Sequence, residues 1–393
     1  MKIGLSLVNF NPGKMGGVEV YFRNLLEHLQ RVDPVNQYSL LCDERSAGHF
    51  RLHAENFDER LIRWRHPRPL RWIRSLLRHA CGVDLLTSRI DALGLDMVHH
   101  PFSMMSLKPG QTPIVVTIHD IQYEYFPDFF GEAECRRRRE GVLAAISAAR
   151  VVLTISEFTR RSLVERYGVP AEKIVVAYMG CDRDFRRIED QAALSALRQK
   201  YGIDRPFIYF PAASWPHKNH TGLLRALRLL IDRYQFEGGL VLTGIARNGQ
   251  EDIERLVVEL GLQGRVRMLG YLERDELPVL YSLARMLVYP SFFEGFGIPL
   301  LEAMACGCPI ACSNVTSLPE VAGDAALMFD PGSTEDMARA IWDVWSDEGV
   351  RSSLLSAAKE REKLFDLDAF ARVTAAAYSA AAEPSRLTPL DPL

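Results

Sequence analysis

The chain has 393 residues, of which 48% are hydrophobic and 25% charged, a composition that excludes disordered, collagen-like and low-complexity proteins. This length suits two domains of comparable size. The formal net charge is only -3, so the chain as a whole has no strong attraction for nucleic acid, and no nucleic-acid partner is predicted.

Hydropathy and cysteine usage favour a cytoplasmic protein. No charged segment is followed by an apolar stretch and a cleavage site, and no apolar run approaches the ~18 residues of a membrane span. The seven cysteines are odd in number and scattered, which favours reduced, packed thiols. Cys306, Cys308 and Cys312 are close in sequence but lack a CxxC pair or a nearby histidine, so no metal site is predicted.

In the first half, short β-branched runs alternate with helical stretches, as in parallel sheets covered by helices on both faces. The predicted strands are Ile3–Phe10, Tyr38–Cys42, Met97–His100, Ile114–His119, Val151–Ser156 and Ile174–Tyr178. The clearest helices between them are Val18–Leu29, Glu132–Ala149 and Glu157–Tyr167.

The same alternation then starts again. The second set of predicted strands is Phe207–Pro211, Leu240–Thr243, Val266–Leu269, Met286–Tyr289 and Ile310–Cys312. The helices predicted with them lie near His220–Tyr234, Gln250–Leu260, Glu273–Leu283 and Pro299–Ala305.

These patterns predict an α/β protein with two Rossmann-like, doubly wound domains that face each other across a cleft, where the carboxyl ends of parallel strands bind ligands. We assign residues 1–180 and 206–365 to the domains and 181–205, which has no strand signal, to the linker. A C-terminal helix over 366–382 is expected to pack back on the first domain, and the Pro- and Ser-rich tail 383–393 is expected to fray.

The most informative segment covers residues 289–302. A strand ends at its beginning, a glycine-containing turn follows, and a proline stands in the first turn of the next helix. The backbone N–H groups of Phe296, Gly297 and Ile298 are predicted to face a phosphate. Glu294 and Glu302 flank this anion site, so they need hydroxyl donors, and sugar hydroxyls are a suitable partner.

The spacing of Glu294 and Glu302 resembles the E-x7-E signature of the GT4 family of retaining nucleotide-sugar glycosyltransferases, which have the GT-B fold. The similarity includes residues 303–309 and 317–321 and extends from Ile3 to about Tyr378. The resemblance implies that Glu294 contacts the donor sugar, that Glu302 binds the ribose hydroxyls and that the backbone between them holds the diphosphate or the sugar.

Four further residues, in three segments, match the family. Gly16 and Gly17 form a loop before the first helix, and the resemblance implies that it lies against the donor phosphates. His119 ends a strand, where its side chain is expected to face the cleft, and it resembles the active-site histidine that contacts the donor sugar. Lys218 is predicted to neutralise the leaving diphosphate; the family often has an arginine six residues earlier, where this chain has Ala212.

Other features leave alternatives open. His100, beside His99, and Asp120 are candidate acceptor-side residues, although a structural role is the favoured interpretation for the histidines. Asp182 and Asp184 form a DxD-like string but fit the linker pattern of the family better than a metal site.

Residues 60–78 contain seven arginines interleaved with apolar residues and no acidic residue: Arg60, Arg63, Arg65, Arg68, Arg71, Arg74 and Arg78. This composition predicts either a solvated helix or a segment that lies on anionic lipid. In the second case the protein would be peripheral on the inner face of the cytoplasmic membrane.

The predicted function is that of a retaining, metal-independent hexosyltransferase without a cofactor, acting on a glycan or lipid-linked acceptor in bacterial surface polysaccharide synthesis. GDP-mannose is the first expectation for the donor and UDP-sugars the second. The alternatives are a GT-B epimerase or phosphorylase, a catalytically silent nucleotide-sugar-binding protein and, more weakly, a nicotinamide dehydrogenase. The sequence has no GxGxxG or P-loop string to support the last.

Overall fold

The computed structural model describes residues 1–8, 10–13, 15–62, 85–104 and 110–382. The chain forms two compact units. The first contains Met1–Met179 together with the segment that begins at Leu367, and the second contains Gly180–Asp366.

Within the described residues, the first unit contains a seven-stranded sheet in the order β3-β2-β1-β4-β5-β6-β7. All its strand pairs are parallel. The strands are β1 Lys2–Ser6, β2 Gln37–Cys42, β3 Phe57–Leu61, β4 Met97–His100, β5 Ile114–Ile118, β6 Val151–Thr154 and β7 Ile174–Val176. The helices are α1 Gly17–Val32, α2 Leu85–Asp91, α3 Glu132–Ala148, α4 Glu157–Tyr167 and, at the end of the chain, α13 Leu367–Ala382.

The second unit repeats this plan with a parallel sheet in the order β10-β9-β8-β11-β12-β13 among its described residues. Its strands are β8 Phe207–Pro211, β9 Gly239–Thr243, β10 Val266–Gly270, β11 Met286–Tyr289, β12 Ile310–Ser313 and β13 Ala326–Phe329. Its helices are α5 Gln191–Tyr201, α6 His220–Tyr234, α7 Gln250–Glu259, α8 Glu276–Leu283, α9 Ile298–Ala305, α10 Leu318–Ala322, α11 Thr334–Ser346 and α12 Glu348–Glu362.

Each sheet reverses its strand order at one place. The reversal lies between β1 and β4 in the first unit and between β8 and β11 in the second. The connections on the two sides of such a point run in opposite directions, which opens a crevice beyond the carboxyl ends of the strands. Each unit therefore has a ready ligand-binding position, at the loops that follow these strands.

Helix α13 packs in the first unit although it is remote in sequence. The carboxylate of Asp368 bonds to Nδ1 of His28 at 2.7 Å and pairs with Arg31. The ring of Phe370 lies 5.3 Å from that of Tyr21 and is buried. None of the described helices has both the length and the apolar character that crossing a bilayer requires.

The largest differences between the observed and the predicted strands concern β1, β3 and β13. Strand β1 ends at Ser6 rather than Phe10, because Phe10 leaves the sheet and packs its ring against Phe50 and Phe102. Strands β3 and β13 were not predicted. Strand β3 is an edge strand whose last four residues are exposed, so its sequence lacks the apolar pattern of a buried strand.

Two predicted features lie outside the described residues. Of the basic segment 60–78, the structure describes residues 60–62. Arg60 lies in strand β3, which ends at Leu61, and pairs with Asp58. Residues 63–78, including the stretch with helical spacing, are not among the described ones, and neither is the tail 383–393.

Candidate active site

Lys218 and Glu294 form an ion pair in the second unit. Lys218 ends a one-turn helix after β8, and its Nζ donates to Oε1 of Glu294 at 2.6 Å and to the hydroxyl of Tyr289 at 3.3 Å. Burial raises the pKa of Glu294, but the positive charge of Lys218 and the hydrogen bonds from Lys218 and Ser291 more than offset it, so this pKa lies below its usual range. Glu294 is therefore ionised at neutral pH, and its carboxylate is held in place.

Asn219 fixes the turn that carries Lys218. Its φ of 60° is in the left-handed region, which asparagine tolerates better than most residues. Its Nδ2 donates to the carbonyls of Pro290 at 3.1 Å and Pro331 at 3.0 Å, and its Oδ1 accepts from the N–H of Gly222 at 3.1 Å. One buried side chain thus joins the end of β8 to the end of β11 and caps α6.

Replacing Asn219 tests this arrangement. Asn219→Ala removes three hydrogen bonds and places a less suitable residue at positive φ, so we expect a loss of about 1–3 kcal/mol in the free energy of unfolding. Asn219→Gly removes the same hydrogen bonds but tolerates the positive φ. The difference in stability between the two variants therefore gives the cost of the backbone conformation. Urea denaturation measures both, and unchanged stability in Asn219→Ala would contradict this role.

Two side chains that follow β12 hold the backbone of the loop that contains Glu294. The N–H of Glu294 donates to Oγ1 of Thr316 at 3.1 Å. The carbonyls of Glu294 and Phe296, at 3.0 Å and 2.8 Å from Oγ of Ser317, share its one hydroxyl hydrogen. Gly297 has a φ of 119° and precedes α9, and a Cβ there would lie 2.8 Å from Cδ2 of Leu318. The positive φ favours glycine at this position, and any larger residue would also require the Leu318 side chain to move.

The position of α9 agrees with the helix predicted over Pro299–Ala305. Helix α9 begins at Ile298, one residue after Gly297, and Pro299 stands in its first turn. The positive end of the helix dipole therefore lies beside the loop that contains Glu294. Phe296, Gly297 and Ile298 remain predicted phosphate-binding residues.

Glu302 has a different environment from Glu294. It lies in α9 and accepts a hydrogen bond of 2.6 Å from the hydroxyl of Tyr281 in α8. Burial raises its pKa to about 7, although the Tyr281 bond and the positive charge of Arg274 oppose the shift. The two carboxyls of the motif thus have pKa values displaced in opposite directions, a pattern typical of sites where two acids have separate tasks.

The pKa of Glu302 predicts pH-dependent donor binding. Because the carboxylate form accepts hydroxyl hydrogen bonds best, affinity should rise as pH increases through 7, by about ten-fold between pH 6 and pH 8 if only the ionised form binds. Calorimetry with an intact nucleotide-sugar avoids titration of a terminal phosphate. Glu302→Gln should weaken binding and flatten this profile, and an equally steep profile in Glu302→Gln would contradict the assignment.

A cavity of about 460 Å³ lies beyond the carboxyl ends of β9 and β10. Residues of the loop 244–250 and Tyr271 contribute to its lining. Both polar and apolar side chains line it, among them Ser214, Thr243, Gln250 and Met268. A cavity of this size can hold one base or sugar ring.

In the first unit, the predicted glycines lie at the start of α1. Gly16 precedes the helix with a φ of 55°, and Gly17 is its first residue. A Cβ at either position would meet no described atom within 4 Å. The carboxylate of Glu19 fixes the loop, because it accepts from the N–H of Gly13 at 2.9 Å and bonds to His49 at 3.1 Å.

His119 is a buried, neutral histidine just after β5. Its Nε2 lies 2.8 Å from the carbonyl of Pro101, which makes Nε2 the protonated nitrogen and leaves Nδ1 as an acceptor. Burial lowers its pKa, although this bond and Asp120 oppose the shift. The ring of Tyr21 meets it edge-on at 4.7 Å. Only 6% of the His119 surface is exposed. Its position at the end of a strand predicted a side chain that faces the cleft, so it is more buried than expected.

The two acceptor-side candidates, His100 and Asp120, lie in the same unit as His119 but differ from each other in environment. His100 is buried at the end of β4, and burial lowers its pKa to about 4. Asp120 is half-buried, and its Oδ1 accepts from the N–H of Gln122 at 3.0 Å. His99 has a structural role, since its two ring nitrogens bond to the hydroxyls of Tyr378 and Thr117, both at 2.8 Å.

The described part of the chain contains no group of three or more His, Cys, Asp or Glu side chains that could hold a metal ion. In the DxD-like string, Asp182 pairs with Arg274, and Oδ2 of Asp184 lies 3.8 Å from Nε of the same arginine. Cys306, Cys308 and Cys312 are buried free thiols, as their predicted packing role requires.

Known proteins share this architecture. Residues 15–185 match the profile of Glycosyltransferase Family 4, and residues 195–361 match that of Glycosyl transferases group 1. O-antigen chain mannosyltransferase B of Escherichia coli is 35% identical over 266 residues, 67% of this chain and 69% of that protein. O-antigen chain mannosyltransferase RfbU of Salmonella typhimurium is 31% identical over 58% of this chain and 59% of its own length.

A crystal structure of HepE from Anabaena, in complex with UDP and glucose, superposes with a TM-score of 0.72 at 22% identity and covers 97% of this chain and 100% of HepE. The fold is therefore GT-B, as predicted. The chain belongs to the GT4 family of glycosyltransferases.

Proposed function

We propose that this protein is a retaining, metal-independent mannosyltransferase that extends a glycan or lipid-linked acceptor in bacterial surface polysaccharide synthesis. GDP-mannose is the donor we favour, and UDP-sugars are the second candidates. The mannosyl assignment is supported by the names of the two O-antigen relatives. The observation that carries the enzymatic assignment is the 2.6 Å Lys218–Glu294 pair beside the start of α9.

In this proposal the second unit holds the donor. Glu302 accepts hydrogen bonds from the ribose hydroxyls, and the N–H groups at the start of α9 hold the diphosphate. Glu294 accepts a hydroxyl of the donor sugar, and Lys218 donates to the phosphate oxygen that leaves. Because both side chains are largely buried, their interactions with the donor are only weakly screened by water.

The transfer step needs no enzyme-bound intermediate. The bond between C1 of the sugar and the diphosphate oxygen breaks while the acceptor oxygen bonds to C1 on the same face, and the acceptor proton passes to the departing oxygen. Lys218 stabilises the negative charge that develops there. In the first unit, His119 contributes a hydrogen-bond acceptor, Nδ1, for a hydroxyl of the donor sugar, and its lowered pKa keeps it neutral.

A donor screen tests the proposal. GDP-mannose, UDP-glucose and their nucleoside diphosphates are added to the purified protein during thermal unfolding, with and without EDTA. A ligand at ~100 times its Kd should stabilise the protein by about 2.7 kcal/mol, so the preferred donor gives a clear rise in Tm. We expect the largest rise with GDP-mannose and no effect of EDTA. A larger rise with UDP-sugars would overturn the choice of GDP-mannose, and stabilisation that EDTA abolishes would overturn metal independence.

We also infer from the sequence that the basic segment 60–78 holds the protein to the inner face of the cytoplasmic membrane, where a lipid-linked acceptor would be met. Replacing Arg68, Arg71 and Arg74 by glutamate should abolish co-sedimentation with anionic vesicles. Equal sedimentation with neutral and anionic vesicles would contradict a charge-based attachment.

A further inference from the structure

Backbone strain in the described residues occurs mainly beside the candidate site residues. Four of these residues other than glycine have a φ in the left-handed region, which side chains rarely adopt: Ser103 (52°), Asn219 (60°), Gln235 (52°) and Thr316 (59°). Gln235 ends α6, and this conformation is common at helix ends. Asn219 is of a type that tolerates it. Neither reason applies to Ser103 or Thr316, so their strain needs another explanation.

Thr316 adopts a conformation that is especially unfavourable for a β-branched residue. It lies in the loop after β12, the neighbour of β11 in the sheet. Its Oγ1 accepts the N–H of Glu294 at 3.1 Å and donates to the carbonyl of Val315 at 2.8 Å. The hydroxyl thus has both a donor and an acceptor as partners, which fixes its direction. At this strained position the side chain holds the backbone of Glu294.

Ser103 has the same relation to His119 in the first unit. It lies in the turn after β4, the neighbour of β5 in the sheet. Its Oγ accepts the N–H of His119 at 3.0 Å, and its own N–H donates to the carbonyl of Thr117 at 2.9 Å. The carbonyl of Pro101, two residues earlier, accepts from Nε2 of the His119 ring. The turn after β4 therefore holds both the backbone and the ring of His119.

The same arrangement in both units indicates a shared purpose. A side chain at positive φ lowers stability relative to glycine, and strained residues of this kind cluster at active sites. In each unit the hydroxyl comes from the loop that follows a neighbouring strand, and it accepts the backbone N–H of a candidate site residue. Glycine would relieve the strain but would supply no hydroxyl. The strain therefore accompanies the placement of an acceptor at these two N–H groups.

We infer that Thr316 and Ser103 are positioning residues for the transfer reaction, whose hydroxyls set the backbone positions of Glu294 and His119. This inference rests on the proposed function, because it takes Glu294 and His119 as the residues that contact the donor sugar. Turnover should then depend on the hydroxyl at each position, whereas stability should depend on how well the residue tolerates a positive φ.

The test separates the hydroxyl from the backbone conformation. Thr316→Ser keeps the hydroxyl, Thr316→Ala removes it and leaves a Cβ at positive φ, and Thr316→Gly removes it and also relieves the strain. Ser103→Ala and Ser103→Gly make the same comparison in the first unit. Gln235→Gly is the matched control, because it relieves the same conformation at an exposed helix end.

Three quantities are measured for each variant. Turnover is the acceptor-dependent release of GDP from saturating GDP-mannose, with a mannose oligosaccharide as the acceptor. Thermal unfolding gives Tm, and calorimetry gives the Kd for GDP, which lacks the sugar.

We expect Thr316→Gly and Thr316→Ala to lower turnover to a similar extent, by about 3- to 10-fold, with unchanged affinity for GDP. The glycine variant should nevertheless have a higher Tm than the alanine variant. Thr316→Ser should keep the parental turnover. The two Ser103 variants should repeat the pattern of glycine and alanine, and Gln235→Gly should gain Tm at parental turnover.

Double variants show whether each hydroxyl acts through its partner. Adding Thr316→Gly to Glu294→Ala, or Ser103→Gly to His119→Ala, should slow transfer no further, because the side chain that is positioned has already been removed. A full additional loss would overturn the inference, and so would turnover that follows Tm across the variants.

Failure of the inference is distinguishable from failure of the proposed function. Parental turnover in Thr316→Gly and Ser103→Gly, with slow transfer in Glu294→Ala and His119→Ala, would overturn the positioning role alone. Parental turnover in Glu294→Ala and His119→Ala would overturn the proposed roles of these two residues and the positioning role with them.

Discussion

Glu294→Ala is expected to lower turnover by about 10- to 100-fold while the Kd for the nucleoside diphosphate changes little. In our proposal Glu294 contacts the sugar, which the free nucleotide lacks, and a lost hydrogen bond to a charged acceptor costs about 1.5–3 kcal/mol. The change also leaves Lys218 largely buried without its partner, so Tm should fall. Steady-state transfer assays, calorimetry and thermal unfolding measure the three quantities.

Two further variants separate catalysis from folding. Lys218→Met combined with Glu294→Gln removes both charges, so it should recover Tm but remain slow. Glu335→Ala, which changes an exposed glutamate of α11, should be normal in all three measurements. If the double variant regained parental turnover along with its Tm, the Lys218–Glu294 pair would be structural and its proposed role in transfer would be wrong.

His119→Ala is expected to reduce transfer by about 10- to 100-fold with only a modest fall in Tm. The substitution removes Nδ1 and the bond from Nε2 to Pro101, so a donor hydroxyl would lose its acceptor and its position. The rate is measured at saturating donor and corrected for the folded fraction by circular dichroism.

The surroundings of His119 supply the controls. Tyr21→Phe keeps the ring that packs against His119 and removes only the hydroxyl that bonds to Thr117 at 2.8 Å, so it should lower stability slightly and leave transfer nearly unchanged. His53→Ala changes an exposed histidine of the same unit and should have no effect. Extensive unfolding of His119→Ala, with normal transfer by the folded fraction, would show that this histidine is structural.

Local sequence signals predicted most of the fold. Buried parallel strands such as β5 and β6 are short apolar runs, and the order in which strands alternate with helices indicates doubly wound sheets. Strand β3 carries Asp58, Glu59 and Arg60 at the sheet edge, so its sequence has no such signal. It pairs with β2 through backbone hydrogen bonds, which every residue except proline can donate whatever its side chain.

For the candidate site, the motif predicted the positions of the two glutamates but not their partners. Tyr281, which bonds to Glu302, comes from a different helix, and the side-chain contacts of Asn219 reach Pro290 and Pro331 across the sheet. Such contacts depend on tertiary packing, which one sequence does not reveal. The same holds for the opposite pKa displacements of Glu294 and Glu302, because burial and Lys218 cause them.

The most direct test of the central proposal is the anomeric configuration of the transferred sugar. The protein is incubated with α-configured GDP-mannose and an oligosaccharide or lipid-linked glycan acceptor, and the product is examined by NMR for the one-bond C1–H1 coupling of the new residue. We expect GDP release that depends on the acceptor and an α-linked mannose. A β-linked product would contradict the retaining mechanism, and GDP release without any new linkage would contradict the transferase function.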